Sequence, residues 1–346
     1  MPNIYVRNVS EGLHTGLILL RERGIWQESR SGRVIEYPTP VMTTYVVPIE
    51  RVLFYPERDA NPFFHLFESL WMLAGRDDLK FVQQFNSRME EFSDDGVSLH
   101  GAYGYRWREY FSIDQLTKIL SHLEKEPNSR RAVLQMWSPT DLSKIVDYPH
   151  SKDVPCNTQV YFKIRNNKLH MTVTCRSNDI IWGTYGANAV HFSVLQEYMA
   201  TKLGISIGTY YHLSDSFHAY EEVFDKTCKI LDSKNLNPLW YDSYLGWHEG
   251  MHYSPEAMFN NQLYIDDDLN QFMIDPFNLE YKNSFFVETA VPMLKSWRAY
   301  KEKDYETAIT YLQDVPALDW KKAATEWLER RRKKWQSNLA QNNQNI

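Results

Sequence analysis

Cys156 is the residue whose surroundings in the sequence indicate covalent chemistry. It follows Pro155 at the start of one alternating segment, and Arg176 stands at the end of the next. A guanidinium close to a thiol favours the thiolate, which is the nucleophilic form of cysteine. Because a lone cysteine is more often a small buried apolar residue, Cys156 is a candidate nucleophile only if the fold brings Arg176 beside it.

Four arginines lie in short segments rich in turn residues: Arg30 in ESRSGR, Arg130 and Arg131 in PNSRRA, and Arg176 in CRSND. Such segments leave the guanidinium groups free to converge on a dianion, for example a nucleotide phosphate. The same side chains are equally suited to surface ion pairs. The segments alone therefore leave both roles open.

A carboxylate, Glu68, lies inside an apolar helical pattern. From Asn61 to Phe81 the apolar residues recur at three- and four-residue steps. Pro62 suits the first turn of this helix, and Gly75 suits its end. Buried glutamates are rare unless they are paired. Glu68 is therefore either a rim carboxylate that reaches solvent or one of the rare glutamates that are buried.

Three histidines, His191, His212 and His218, are available as the base of a cysteine hydrolase. Such an enzyme needs the base within hydrogen-bond reach of the thiol. Nothing in the sequence places any of them beside Cys156, so a hydrolase is the least supported function.

The elements that must position these residues follow from periodicity. Strand-like alternation between Thr158 and Arg176 is interrupted by Asn166 and Asn167, which predicts a two-stranded hairpin because asparagine tolerates the left-handed backbone of a tight turn. A helical period follows from Asn188 to Leu203. The segment GISIGTYYHLSDSFHAY then predicts a strand or loop that leads into another helix.

The carboxy-terminal third differs from the rest of the sequence in its periodicity. Residues 237–275 show no clear period, whereas 287–335 contain two amphipathic helical stretches. The basic run ERRRKKW fits a solvated helix face better than a binding patch. The polar tail QSNLAQNNQNI predicts fraying or disorder.

The composition limits the class of protein. The chain has 346 residues, of which 43% are hydrophobic, and a formal net charge of −6. This length suits one large α/β or α+β unit with an appendage, and the charge disfavours a nucleic-acid polymer as partner.

The cysteines, which are Cys156, Cys175 and Cys228, show no CxxC spacing. Neither a disulfide framework nor a thiolate zinc site is expected. No run of about 18 apolar residues occurs, so we expect a soluble cytoplasmic protein, in a cell or in an infected host, with no membrane contact.

The order of the motifs resembles that of the thymidylate synthase family. The motifs are SRSG, FESLWMLAG, GAYGYRWR, SRRAVLQMW, VPCNTQ, CRSND, GANAVHFSVLQEYMA and HAY, and together they span roughly residues 15–225. The resemblance implies an α/β (α+β) fold, with a mixed sheet and packed helices. It also implies a catalytic domain at 1–236, followed by a largely helical extension at 237–346.

The resemblance implies a role for each matching residue. Cys156 attacks carbon 6 of a pyrimidine nucleotide, and carbon 5 then captures a one-carbon unit from 5,10-methylenetetrahydrofolate. Proton relay is implied for Glu68 and Tyr103, and contact with the pterin ring for Asp179. Substrate contacts are implied for the phosphate (Arg30, Arg176, Ser177), the base (Asn188) and the sugar (His218, Tyr220). Folate contacts are implied for Trp182 and Gly183. Arg130 and Arg131 are implied to reach the phosphate of the partner subunit in a homodimer.

Departures from the family pattern bear on the product. The segment FNSRMEEFSDDG lacks the tryptophans that the family packs near the one-carbon intermediate, and Asn157 replaces the histidine after the nucleophile. The chain continues into an extension with a polar end, in place of a short apolar tail. The spacing from Gly183 to Asn188 is one residue longer than usual. Reduction of the methylene requires that water be excluded, so these changes favour capture of water and a 5-hydroxymethyl product.

Three alternatives stay open. A true thymidylate synthase would make dTMP and dihydrofolate. A deoxycytidylate (or CMP) hydroxymethylase would act on cytosine, but Asn188 favours uracil, because its amide donates to one ring atom and accepts from the next. A non-catalytic nucleotide-binding regulatory protein would need the arginines but not Cys156, Glu68, Tyr103 and Asp179 together.

Overall fold

A computed structural model describes residues 1–232, 244, 253, 255–278 and 280–344. Its centre is one eight-stranded mixed sheet. The strands are β1 (Asn3–Val6), β2 (Ile25–Ser29), β3 (Gly32–Glu36), β4 (Val41–Tyr45), β5 (Val133–Gln135), β6 (Asn157–Arg165), β7 (Lys168–Asp179) and β8 (Ser206–Tyr220). The mixed α/β fold expected from the motifs is confirmed.

The sheet runs in the order β1-β4-β8-β7-β6-β5; β3 pairs with the last three residues of β8, and β2 pairs with β3. β7 and β8 pair in parallel, which brings Ser177 beside Ser216 and Asp179 beside His218. The other pairings with β8, made by β3 and β4, are antiparallel. The ends of β7 and β8 therefore place residues from two predicted motifs, CRSND and HAY, side by side at one end of the sheet.

The helices cover one face of the sheet and continue beyond it. They are α1 (Val9–Arg23), α2 (Pro62–Leu73), α3 (Leu79–Gln83), α4 (Tyr103–Arg108), α5 (Gln115–Lys125), α6 (Pro139–Asp147), α7 (Asn188–Lys202), α8 (Glu221–Asp232), α9 (Ile265–Ile274), α10 (Val291–Lys301), α11 (Tyr305–Thr310) and α12 (Leu318–Gln344). Along β7 and β8, residues on one face are buried and those between them are only partly buried. No helix among the described residues is long and apolar enough to cross a membrane.

The β6–β7 hairpin forms as the alternation predicts. Its two turn residues, Asn166 and Asn167, have φ of 51° and 56°, the left-handed values that a tight two-residue turn requires. Arg165 and Lys168 pair across the turn. This register fixes Asn157 opposite Cys175, so the start of β6 meets the far end of β7.

Helix α2 is buried along its whole length. The side chain of Asn61 caps its first turn by accepting from the N–H groups of Phe63 and Phe64, and Gly75, at φ 72°, follows its end. Helix α4 approaches it closely, since a Cβ on Gly104 would lie 1.8 Å from the carbonyl oxygen of Met72. Any larger residue there would separate Tyr103 from α2.

A π-helical segment, Ile180–Ala187, joins β7 to α7. The N–H of Asn188 donates to the carbonyl of Gly183, five residues back, as a π-helical turn requires. Such a wide turn accommodates one residue more than an α-helical turn. The longer spacing from Gly183 to Asn188 is therefore absorbed locally, and Asn188 still opens α7.

The carboxy-terminal helices pack on α2. The ring of Phe63 contacts Trp297 of α10 and Trp327 of α12, with centroid distances of 5.4 and 5.8 Å. Arg330 and Arg331 pair with Asp59, at 3.1 and 2.7 Å. Buried residues of both parts belong to one apolar core. The division at residue 236 stays a prediction.

The carboxy-terminal third differs from the expectations in two places. The polar tail is helical through Gln344, because α12 extends to that residue; the expected disorder is not seen, and 345–346 lie outside the described residues. The two amphipathic stretches at 287–335 form three helices, α10, α11 and α12, and α9 lies in the part without a clear period. Most of the remainder of 237–275 before α9 is outside the described residues.

Candidate active site

Cys156 lies in the loop before β6, partly exposed, and Arg176 holds that loop. The guanidinium of Arg176 donates to the carbonyls of Pro155 (3.1 Å) and Val154 (3.0 Å), and its backbone N–H donates to the carbonyl of Cys156 (2.9 Å). The condition set by the sequence is thus met, since the arginine and the thiol are neighbours. Two of the five guanidinium donors are used here, so others remain for a substrate.

Burial raises the pKa of the Cys156 thiol, although the charges of Arg176 and Arg30 oppose this effect. The carboxyl of Asp153 adds to the rise, and burial also raises its own pKa, to about 6. The expectation that the arginines yield a thiolate is therefore right about their effect but wrong about the net direction. Removal from water outweighs them, a balance that sequence spacing cannot reveal.

A polar cluster forms around the β2–β3 turn and the end of β8. Arg30 donates to the carbonyl of Ser151 at 3.0 Å, and its charge reaches Cys156. Tyr220 hydrogen-bonds with Ser31, and the ring of His218 lies 5.6 Å from that of Tyr220. The predicted phosphate and sugar contacts thus lie at the same end of the sheet as the nucleophile.

Arg130 and Arg131 lie apart from this cluster. They line an open depression with Glu126, Asn128 and Ser129, and Arg131 forms an exposed ion pair with Glu126 at 2.9 Å. Within the described residues, neither arginine contacts Cys156. A role at the phosphate of a partner subunit stays a prediction.

Asn188 is buried at the start of α7, and a chain of polar groups holds its amide. Its Nδ2 donates to Oδ1 of Asn178 at 3.1 Å. Nδ2 of Asn178 in turn contacts Nε2 of His212 (2.9 Å) and Oγ of Ser214 (3.0 Å). Nδ1 of His212 lies 2.8 Å from the hydroxyl of Tyr210.

This series of hydrogen-bonded side chains fixes the orientation of the Asn188 amide. Burial lowers the pKa of His212 to about 3, so the imidazole is neutral and has one donor and one acceptor. With Nε2 as the acceptor from Asn178, the carbonyl of Asn178 must face Asn188. The amide of Asn188 then keeps one N–H donor and its oxygen for a ligand.

The same hydrogen-bonded series requires a glycine at position 183. A Cβ at this position would lie 2.4 Å from Oδ1 of Asn178 and 3.1 Å from Nδ2 of Asn188. A folate contact is what the motif resemblance implies for Gly183. The structure shows in addition that its missing side chain leaves room for the amide pair.

Asp179, Trp182 and Arg58 form a second side of the site. Oδ1 of Asp179 accepts from the N–H groups of Ile181 and Trp182, at 2.8 and 2.6 Å, while burial raises the pKa of Asp179. The indole of Trp182 is 43% exposed, and the guanidinium of Arg58 lies 4.4 Å from its ring centroid. An exposed indole beside a fixed cation suits a flat aromatic ligand with a carboxylate.

Glu68 and His191 meet in the interior. Oε2 of Glu68 lies 2.8 Å from Nε2 of His191, and both side chains are almost fully buried. The rim position considered for Glu68 is thus wrong, because α2 is covered on all sides. His65, one turn before Glu68, is also buried; burial, and then the charge of Arg58, lower its pKa well below the ordinary value.

Tyr103 lies against the nucleophile loop. Its hydroxyl accepts from the N–H of Asn157, which follows Cys156, and its ring stacks on Phe192 at 5.6 Å. Burial raises the pKa of Tyr103 well above its ordinary value, so the phenol is protonated. The side chain of Asn157 turns away, donating to the carbonyl of Thr174 at 2.8 Å.

The sequence patterns do not identify several residues of the site: Arg58, Asp153, Asn178, His191 and His212. They suggest His191 and His212 only as bases of a hydrolase. The position of His191 three residues after Asn188, on one helix face, is a signal that could have placed it in the site. Asn178 and His212 lie 34 residues apart and meet only through the β7–β8 pairing.

Comparison with known proteins agrees with these features. A family model described as thymidylate synthase matches residues 58–239. A protein of Pseudomonas phage M6 named deoxyuridylate hydroxymethyltransferase is 43% identical over 350 residues, covering 98% of this chain and 97% of that protein. A protein of the same name from Bacillus phage SP01 is 42% identical over 55% of this chain and 51% of its own length. A thymidylate synthase of Symbiobacterium thermophilum is 30% identical over 46% of this chain and 59% of its own length.

Proposed function

This chain belongs to the thymidylate synthase family, and we propose that it is a transferase that converts dUMP to 5-hydroxymethyl-dUMP. One arrangement carries the proposal. Cys156, flanked by two guanidinium groups, and the oriented amide of Asn188 both lie at the end of β7. The near-full-length relative named deoxyuridylate hydroxymethyltransferase supports the choice of base and product.

Asn188 reads the base in this proposal. Uracil presents an N–H at position 3 next to a carbonyl at position 4, and the free oxygen and N–H of Asn188 match both groups. Cytosine presents the reverse pair. Asn178 is itself held by His212 and Ser214. Reversing the amide of Asn188 would therefore disrupt this whole series of hydrogen bonds.

Cys156 is the nucleophile that attacks carbon 6. The electron pair of the 5,6 double bond then moves toward the carbonyl at position 4, so carbon 5 becomes nucleophilic. Arg176 and Arg30 stabilise the thiolate once substrate fixes them, and with Ser177 they hold the phosphate. His218 and Tyr220 contact the sugar hydroxyl. Tyr103 and Glu68 relay protons around the ring.

The one-carbon donor is 5,10-methylenetetrahydrofolate, which supplies the unit that becomes bonded to carbon 5. We assign its site to Asp179, Trp182 and Gly183, together with Arg58. The half-exposed indole of Trp182 and the guanidinium of Arg58, 4.4 Å from it, fit a folate, which joins a flat pterin ring to a glutamate with carboxylates. Asp179 accepts from three backbone N–H groups in all, so at most one of its lone pairs remains for a ring N–H.

One feature supports a hydroxymethyl rather than a methyl product. The 87–92 segment, where the family pattern places tryptophan, is a 3₁₀ turn (Ser87–Phe92) with no buried residue. It does not supply an apolar wall that would keep water from the one-carbon intermediate.

The homodimer belongs to the same proposal. The partly buried face of β6, β7 and β8 carries Tyr161, Thr172 and Tyr211, a surface suited to sheet-to-sheet packing. Exposed Arg130 and Arg131 would then serve the phosphate site of the partner subunit. The phage origin of the hydroxymethyltransferase relatives supports action in the cytoplasm of an infected host.

The product of a single assay tests the proposal. The protein is incubated with 5,10-methylenetetrahydrofolate and either dUMP or dCMP, and nucleotide mass and dihydrofolate absorbance are recorded. We expect dUMP to gain CH₂O without formation of dihydrofolate, and dCMP to react poorly. A gain of CH₂ with dihydrofolate would identify a thymidylate synthase, and preferential modification of dCMP would refute the role of Asn188.

A further inference from the structure

The Glu68–His191 pair is a second functional group inside the site that the proposed nucleophile and base contacts do not use. The two side chains retain 6% and 2% of their exposure, and Oε2 and Nε2 lie 2.8 Å apart. This is ion-pair distance without hydrogen-bond alignment. Among the described residues, Oε2 of Glu68 and both ring nitrogens of His191 have no aligned hydrogen-bond partner.

Unpartnered buried polar atoms are costly. A buried polar atom without a partner has lost its hydrogen bonds to water, and groups of this kind in native proteins call for a specific reason. Here, between α2 and α7, Oε2 of Glu68 and Nε2 of His191 face each other at 2.8 Å, and Nδ1 of His191 has no hydrogen-bond partner among the described residues. Their joint hydrogen-bonding capacity, one carboxylate oxygen and two imidazole nitrogens, suits a small polar molecule such as water.

The pair lies close to the reacting base. His191 follows Asn188 by three residues in α7, so both side chains leave the same helix face, about 4.5 Å apart along the axis. The next residue, Phe192, stacks on Tyr103, whose hydroxyl is bonded to the residue after Cys156. The imidazole therefore leaves α7 on the face that carries the base-reading amide, and the next residue of the helix contacts the tyrosine that is bonded to the nucleophile loop.

We propose that His191, oriented by Glu68, is the general base that activates the water molecule added to the one-carbon unit. This proposal rests on the proposed hydroxymethyltransferase function and names the residue that directs it to that product. Proton relay by Glu68 is already implied by the motif resemblance; the role of His191 as the acceptor of the water proton is the new element.

The one-carbon unit is an exocyclic methylene on carbon 5, with Cys156 still bonded to carbon 6. The water oxygen bonds to the methylene carbon while one water proton moves to His191, and the methylene electron pair moves onto the carbonyl at position 4. That pair returns to form the 5,6 double bond, the bond from carbon 6 to sulfur breaks, and Cys156 leaves as a thiolate. No oxidant or reductant is consumed.

The test separates water addition from the earlier steps. His191→Asn and His191→Gln variants are compared with the wild type in single turnovers containing 5-tritiated dUMP, 5,10-methylenetetrahydrofolate and 2-mercaptoethanol. Tritium release reports loss of hydrogen from carbon 5, which precedes water addition. The thiol competes with water for the methylene, so the ratio of thioether to hydroxymethyl product reports water activation directly. His14→Asn, on the outer helix α1, is the matched control for the loss of an imidazole.

We expect tritium release close to that of the wild type in both variants, and a rate of hydroxymethyl formation lower by about 10²-fold or more. The thioether product should increase correspondingly, while His14→Asn should match the wild type. An unchanged product ratio would overturn the role of His191, as would parallel loss of tritium release and hydroxymethyl product in both variants. If the wild type itself makes dTMP, the proposed function fails together with this inference; if it makes 5-hydroxymethyl-dUMP and the ratio is unaffected, only the inference fails.

Discussion

Gly183→Ala is a small substitution whose effect is determined by one contact. The added Cβ would lie 2.4 Å from Oδ1 of Asn178 and 3.1 Å from Nδ2 of Asn188. The amide of Asn178 is not a free side-chain end, because it is 2% exposed and holds three partners. It must therefore move as a unit by several tenths of an ångström or more.

The size of the expected loss in stability and activity follows from the hydrogen bonds that such a movement breaks. The bond from Asn188 to Asn178 is 3.1 Å long and fails first; the contacts to His212 and Ser214 stretch with it. At about 1 kcal/mol net for each bond, the free energy of unfolding falls by about 1–3 kcal/mol. Loss of the fixed amide of Asn188 lowers kcat/KM for dUMP by about 10- to 100-fold, since 1.4 kcal/mol corresponds to tenfold.

A double-mutant cycle provides the assay. Stability in urea and kcat/KM for dUMP are measured for Gly183→Ala, for Asn178→Ala and for the double variant. Asn178→Ala removes the atoms with which the new Cβ collides. We therefore expect the double variant to be no worse than Asn178→Ala alone, while the KM for the folate donor changes less than that for dUMP.

Two results would refute this reasoning. Additive losses in the double variant would show that the Cβ acts through something other than Asn178. An increase confined to the KM of the folate donor would show that Gly183 serves the donor alone, as the motif resemblance implies.

Two further variants test other parts of the account. Asn188→Asp should lower kcat/KM for dUMP by about 10- to 100-fold, because a carboxylate cannot donate to the carbonyl at position 4, and should raise activity on dCMP; equal losses on both nucleotides would contradict the base-reading role. Burial raises the pKa of Asp319 from 3.8 to about 7, so the folded state keeps a proton that the unfolded state loses. The free energy of unfolding should then fall as the pH rises from about 4 to about 7, by up to about 4 kcal/mol in total. Asp319→Asn should remove that slope in urea titrations, and an unchanged slope would assign it to another group.

The elements that carry the site are those whose signals are local. The hairpin from Asn157 to Asp179 follows from alternation and two asparagines, and α2 follows from its cap, its proline and its apolar period. These features depend on neighbours in the chain, and they position Cys156, Arg176 and Glu68. The resemblance supplied the assignment of roles, which periodicity cannot provide.

The remaining features depend on distant contacts and on solvent. The chain from Asn188 through Asn178 to His212 requires the parallel pairing of β7 with β8, and the contact of Glu68 with His191 requires α2 to pack on α7. The raised pKa of Cys156 results from burial. The π-helical turn before Asn188 accommodates one residue more than an α-helical turn, which the spacing alone does not reveal.

The nucleophile is the central claim, and tritium release from carbon 5 of dUMP tests it most directly. The wild type and Cys156→Ser are compared in the presence of 5,10-methylenetetrahydrofolate, with binding of dUMP measured separately. We predict that the variant binds dUMP with an affinity near that of the wild type but releases no tritium above the enzyme-free rate. Equal tritium release by both proteins would contradict the account.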